Sequence, residues 1–107
     1  ANHRPIAVLN GDESKEVVEI EAKSGETVEL SAKGSTDPDG DDLDIHWFQY
    51  REAGRYNGAV SLRKSESNAS IIAPDVNKTE TVHIILQITD NGTPPLTSYR
   101  RAIVTVK

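Results

Sequence analysis

Residues 35–47 have the sequence STDPDGDDLDIHW, which joins an acidic turn to the segment that carries the only tryptophan of the chain. Pro38 fixes a backbone angle suited to a turn, Gly40 can adopt the positive φ of a tight reversal, and the aspartates can bond the loop backbone. From Asp44 on, polar and apolar residues alternate as in a strand with one buried face. The stretch therefore predicts a turn that opens a central strand, at residues 44–50, with Trp47 in the core of a β-sandwich.

Strand patterns recur along the rest of the chain. Residues 81–89 and 99–106 alternate on either side of a turn-rich stretch, which predicts a hairpin. Further strands are predicted at residues 6–9, around Val18 and Ile20, around Val28 and Leu30, and at residues 70–73. Residues 51–68 are predicted to form an irregular excursion at a sheet edge. About seven short strands, without the 3.6-residue period of a helix, predict an all-β, immunoglobulin-like antiparallel sandwich.

Length and composition exclude several classes of protein. The 107 residues predict a single domain, residues 1–107. A net charge of −5 with scattered basic residues argues against nucleic acid, and no apolar run approaches the roughly 20 residues that span a membrane. Without cysteine there is no disulfide or thiolate zinc site, and no catalytic motif is present. We therefore expect a monomeric, noncatalytic domain that requires no cofactor.

The acidic turn is also a candidate ion site. In an immunoglobulin-like sandwich the first strand and the loops before the third and last strands meet at one pole, so Asn2, Asp37, Asp39 and Asp90 are expected to converge. Calcium takes six to eight oxygen ligands, which such a corner can supply. In the alternative, Asp37 and Asp90 accept backbone N–H bonds and cap turns, while the other acids stay solvated. Both interpretations remain open from the sequence.

Aromatic residues offer a candidate carbohydrate surface. A pyranose ring stacks its C–H groups on an exposed aromatic face, and Trp47 is assigned to the core. Tyr50 and Tyr56 are the candidate platform, beside Arg51 and Arg55. The alternative is that these tyrosines only cover the edge of the sheet.

Several motifs resemble those of a known class of immunoglobulin-like sandwiches, the polycystic-kidney-disease-type repeats of many secreted proteins. They are Asn2 with Pro5, residues 25–28, residues 35–40 with Trp47, and residues 88–92. The repeats usually continue Phe-Gly-Asp-Gly after the tryptophan, whereas this chain continues FQYR. The resemblance implies a relative of these repeats.

Residues 47–54 and 83–101 resemble the C-terminal domain of a bacterial cellulose-binding protein family, whose members carry a nucleoside-hydrolase-like domain ahead of it. The resemblance implies an accessory domain, excised from the C-terminal end of a secreted, cell-surface or periplasmic polysaccharide-processing protein, with a polysaccharide such as cellulose as partner. The alternative is a structural spacer or protein-interaction module that packs against a neighbouring domain of the same chain. Ile85 and Ile103 would then mark the contact face.

The calcium hypothesis predicts a thermal shift. If Asn2, Asp37, Asp39 and Asp90 hold calcium only in the folded state, millimolar calcium raises the melting temperature by mass action, and a chelator reverses the rise. Differential scanning calorimetry with and without calcium measures this shift. An unchanged melting temperature in both conditions would contradict the calcium site.

Overall fold

The computed structural model describes residues 4–12, 14, 17–40, 42–51, 58, 60, 62–65, 67–92 and 94–107. Its strands are β1 (Val18–Ala22), β2 (Thr27–Ser31), β3 (Leu43–Gln49), β4 (Leu62–Ser65), β5 (Asn68–Ile72), β6 (Glu80–Asp90) and β7 (Thr97–Val106). These ranges contain no helix, and hence none long and apolar enough to cross a membrane.

The strands form two sheets, with the orders β1-β7-β6-β3 and β2-β5-β4. Every pair is antiparallel except β1 with β7, which is parallel. The orders β7-β6-β3 and β2-β5-β4 correspond to the G-F-C and B-E-D strands of an immunoglobulin-like sandwich. The predicted fold class, an all-β sandwich of about seven strands, is confirmed.

One core lies between the two sheets. Four alternate residues of β6 have no exposed surface: Val82, Ile84, Leu86 and Ile88. Trp47 of β3 lies opposite Leu86 and is 1% exposed, and Leu30 and Ile71 belong to the same core from the other sheet. Burial of each large apolar side chain contributes about 1.5–3 kcal/mol. Trp47 is therefore a core residue, as predicted.

Two predictions of local structure are wrong, although the described residues do contain seven strands. Residues 6–9 form only isolated bridges, Ile6 with Thr36 and Leu9 with Asp12. The chain reverses there because Asn10 (φ 51°) and Gly11 (φ 80°) both adopt positive φ, as Asn-Gly pairs do in tight two-residue turns. The seventh strand is instead β4, inside the segment predicted to be irregular, where Leu62 packs against the core and pairs with Ile71.

A buried arginine holds the N-terminal segment in place. Arg100 is 4% exposed, and its Nη1 donates to the backbone oxygens of Ala7 (3.0 Å) and Asp12 (2.6 Å). Its Nη2 lies 3.3 Å from Oδ1 of Asp12. Hydrogen bonds from Ser14 and, after them, the charge of Arg100 hold the pKa of Asp12 below its ordinary value. We call this group of contacts the Arg100 clamp.

Replacing Arg100 by methionine is expected to lower the free energy of unfolding by about 2–3 kcal/mol, because the carbonyls of Ala7 and Asp12 lose their buried donor. Urea denaturation followed by tryptophan fluorescence measures the loss. Arg101→Met is the matched control, since the neighbouring side chain lies on the other face of β7, and we expect a change below about 1 kcal/mol. Equal losses in the two variants would contradict a clamp specific to Arg100.

Candidate functional site

The outer face of the four-stranded sheet carries an open groove. Residues paired across strands point to the same face, and the register aligns Phe48 of β3, Ile85 of β6 and Arg101 of β7 in one row. The groove has a volume of about 390 Å³ and is lined by Val17, Phe48, Tyr50, Ile85, Tyr99, Arg100 and Arg101. We call it the outer-face groove.

The groove has an apolar floor and aromatic walls. Ile85 is only 7% exposed because Phe48 and Arg101 lie on either side of it in the row. Tyr99 is 62% exposed and Tyr50 is 41% exposed, so both rings present surface to solvent. Large apolar surface left exposed in one place is typical of a binding site. The arrangement suits a ligand with an apolar face and polar edges.

Arg101 is packed against one of these walls. Its guanidinium carbon lies 5.7 Å from the centre of the Tyr50 ring, within the range of a cation–π contact. On the β3 side, the rings of His46 and Phe48 lie 5.6 Å apart between centres and are tilted by 37°. These contacts restrict the rotamers of Arg101 and Phe48, so part of the groove is ordered before a ligand arrives.

His83 lies beside the groove, on the same face of β6 as Ile85. Burial, and after it the positive charge of Arg101, lowers the pKa of His83 from its ordinary value. Its Nδ1 is buried and has no hydrogen-bond partner among the described residues. Charging this ring would cost desolvation and repulsion from Arg101, so the fold favours the neutral imidazole.

The residues predicted for carbohydrate binding fall in two groups. Tyr50 lies on the outer-face groove, and Arg51 is exposed directly after it. Arg55 and Tyr56 lie outside the described residues, so their part in a platform stays a prediction. Tyr50 also follows the edge strand β3, which agrees with the alternative of edge covering as well as with a platform.

The larger part of this groove is not apparent from the sequence. The sequence did contain a signal for Tyr99 and Arg101, because the alternation that buries Ala102 and Val104 places them on the opposite face. What it lacked was the register that brings them beside Phe48 and Ile85. The proposed contact face marked by Ile85 is corrected as well, since Ile85 is the buried floor of the groove and not an exposed position.

The acidic corner contains a well-defined turn cap. Asp90 is 3% exposed, and its Oδ1 accepts hydrogen bonds from the backbone N–H of Gly92 (3.1 Å) and Leu96 (2.9 Å). The loop before β3 does reach this corner, since Asn91 N donates to the backbone oxygen of Asp42 at 3.2 Å. Asp90 therefore caps the turn between β6 and β7, as the alternative to calcium binding supposed.

Among the described residues, the other proposed calcium ligands are not gathered into a recognisable metal cluster. Asp37 and Asp39 lie on the turn before β3, where Gly40 N donates to the backbone oxygen of Asp37 at 3.0 Å, and Asn2 is outside the described residues. Over the part of the chain that the structure describes, no group of three or more His, Cys, Asp or Glu is placed to hold a metal. Calcium binding that also uses amide or backbone oxygens stays a prediction.

The sandwich and its groove define an immunoglobulin-like domain with an aromatic surface on one sheet. Residues 27–106 match the family model described as "Cellulose-binding protein Sde0182, C-terminal domain". The match covers most of the chain, and the chain therefore belongs to this family. This membership confirms the resemblance to the C-terminal domain of a bacterial cellulose-binding protein family.

A solved structure shows the same fold in a longer protein. The chain is similar to a nucleoside hydrolase-related hypothetical protein from Saccharophagus degradans that is described as associated with carbohydrate metabolism, with 42% sequence identity and a TM-score of 0.95. The similarity covers 100% of this chain and 26% of that one, so this chain spans about a quarter of that protein's length. A comparison with curated proteins gives no match.

The position of His83 beside Arg101 predicts a pH-dependent stability. Because folding lowers the pKa of His83 below the unfolded value of about 6.5, the folded state is most favoured above that pH and loses stability as the pH falls through the folded pKa. The His83→Gln variant should lack the decrease in the free energy of unfolding that protonation of His83 causes. Urea denaturation between pH 8 and pH 5 measures this difference. In an NMR titration, Arg101→Gln should raise the pKa of His83, and an unchanged pKa would contradict the electrostatic contact.

Proposed function

We propose that this chain is a noncatalytic domain that attaches its parent protein to a polysaccharide such as cellulose, and that the outer-face groove is the attachment site. The observation that carries the proposal is the pair of exposed rings, Tyr99 and Tyr50, which flank an apolar floor on one sheet face. The description of the family as a cellulose-binding protein supports the choice of ligand.

The chemistry of the groove fits a sugar chain. A pyranose has apolar C–H faces that stack on aromatic rings, and Tyr99 offers the largest exposed ring surface of the groove. The equatorial hydroxyls of the pyranose can form hydrogen bonds with the phenol groups of the tyrosines and with the guanidinium of Arg101. The groove is open, so an extended polymer can cross it without its ends having to enter. These properties favour attachment to a polysaccharide, a function that needs no catalytic group.

The same proposal assigns the domain an accessory role. In the similar protein from Saccharophagus degradans the aligned segment makes up 26% of the chain, so most of that protein lies in other regions. A domain that holds a polymer raises the effective concentration of substrate for whatever domain is linked to it. We propose that the parent protein is bacterial, processes polysaccharides, and acts outside the cell or at its surface, where such polymers occur.

One observation favours a second candidate function, docking against a neighbouring domain. Tyr99 also borders a cleft beside the N-terminal segment, together with Ile6, which is 44% exposed. The exposed apolar surface of this cleft could be covered by a neighbouring domain that is linked to the N-terminal segment. The spacer or interaction function and the carbohydrate function therefore compete for part of the same surface, and a binding experiment separates them.

Tyr99→Ala is expected to weaken binding to insoluble cellulose and to soluble glucans roughly tenfold, because truncating an exposed aromatic anchor removes more than about 1 kcal/mol of binding free energy. Tyr50→Ala should weaken it as well. Cellulose pull-down and affinity electrophoresis measure the loss, with circular dichroism as the check on folding.

Ile72→Ala is the matched control, since Ile72 is 48% exposed but lies on β5 of the other sheet. It should bind like the unmodified domain. Retention of all three variants would place the site elsewhere. No retention of the unmodified domain would overturn carbohydrate attachment and favour docking.

A further inference from the structure

The outer-face groove differs in charge from the rest of the protein. The chain has a net charge of −5, yet the charged residues that line the groove in the described part of the chain are Arg100 and Arg101, and no acidic residue of that part lines it. Arg100 is committed to the clamp with Asp12. Of the described residues, Arg101 is therefore the charged group that the groove can offer to a ligand.

Arg101 is held in place, and no carboxylate among the described residues pairs with it. Its guanidinium makes a cation–π contact with the ring face of Tyr50, and the ion pairs of the described residues are formed by Arg100 and Lys107 instead. The positive charge of Arg101 also contributes to the lowered pKa of His83. A half-buried guanidinium attracts an anion more strongly than a fully solvated one, because part of its hydration shell is replaced by protein.

From these contacts we infer that the groove selects glycans that carry carboxylate groups, such as uronic acids or oxidised glucans, with Arg101 as the residue that binds the carboxylate. The inference rests on the proposed carbohydrate attachment and adds the chemical class of the glycan. Guanidinium and carboxylate are both planar and form two parallel charge-assisted hydrogen bonds. A neutral glucan offers Arg101 only hydroxyl oxygens, which accept weaker bonds.

The strand register also identifies an acidic residue near Arg101 that would repel a carboxylate ligand. Glu19 of β1 lies opposite Ile103, two positions along β7 from Arg101, and points to the same face as both. It is exposed at the edge of the sheet, where its charge repels an incoming carboxylate weakly. Arg101 and Glu19 therefore make a pair of variants with opposite expected effects.

The test compares two soluble polymers with the same β-glucan backbone, carboxymethyl cellulose and neutral hydroxyethyl cellulose. In affinity electrophoresis and isothermal calorimetry at low salt, we expect the unmodified domain to bind the carboxymethyl polymer about fivefold more tightly or better. The preference should shrink at high salt, because added ions screen the pair. Arg101→Gln should bring the ratio of the two affinities to about one, with Arg101→Lys between, and Glu19→Gln should increase the ratio.

The pKa of His83 provides a second readout that a merely structural role of Arg101 would not change. A carboxylate on Arg101 cancels part of its charge, so carboxymethyl cellulose should raise the pKa of His83 in an NMR titration, and hydroxyethyl cellulose should not.

The possible outcomes separate the two proposals. Equal binding of both polymers, unaffected by Arg101→Gln, would overturn the selection for carboxylates and leave carbohydrate attachment intact. Binding of neither polymer would overturn the selection for carboxylates, and if the domain is also not retained on insoluble cellulose, carbohydrate attachment is overturned as well. Poly-L-glutamate is the probe for an acidic polypeptide as the true ligand, and binding of it as tight as that of carboxymethyl cellulose would overturn the choice of a glycan.

Discussion

The burial of one side of β6 is the constraint on which the rest of the molecule depends. Four alternate side chains of this strand are fully enclosed, and β3 and β7 pair with it on either side. Since side chains in a strand alternate strictly, the enclosed set determines which residues of all three strands face outward. Ile85, Phe48 and Arg101 come together on the outer face because their neighbours along each strand are needed inside. The candidate site is thus a consequence of how the core is packed.

The fold was predictable from sequence to the extent that its strands obey this alternation. β6, β7 and β3 are predictable because each buries a regular apolar face, and the same pattern places Trp47 in the core. The errors fall where the pattern is short or local. Residues 6–9 look like a strand, but the positive φ of Asn10 and Gly11 turns the chain back before a ladder can form. β4 was missed because four residues with one core-packed leucine, Leu62, carry too little periodicity.

The site was less predictable, because it depends on register between strands that are distant in sequence. Tyr50 was identified as a surface aromatic, but its neighbour Arg101 is 51 positions later in the chain and is brought to it by two successive pairings. The sequence also presents Arg100 and Arg101 as one basic pair. Alternation directs their side chains to opposite faces: the guanidinium of Arg100 is buried against backbone carbonyls, and that of Arg101 contacts Tyr50 on the outer face. Charge counting cannot distinguish two such residues, whereas strand geometry can.

The paths of the N-terminal segment and of β7 have a mechanical consequence. Pro5 accepts a hydrogen bond from Ser98 at the beginning of β7, while Lys107 bonds to Ala22 and Ser24 beyond its other end. These two points are separated by the length of β7, roughly 30 Å at about 3.3 Å per residue. Tension applied between Pro5 and Lys107 would run along the strands and shear the bonds of β7 with β1 and β6 together. A sandwich loaded in this direction resists stretching with many hydrogen bonds at once, instead of breaking them one after another.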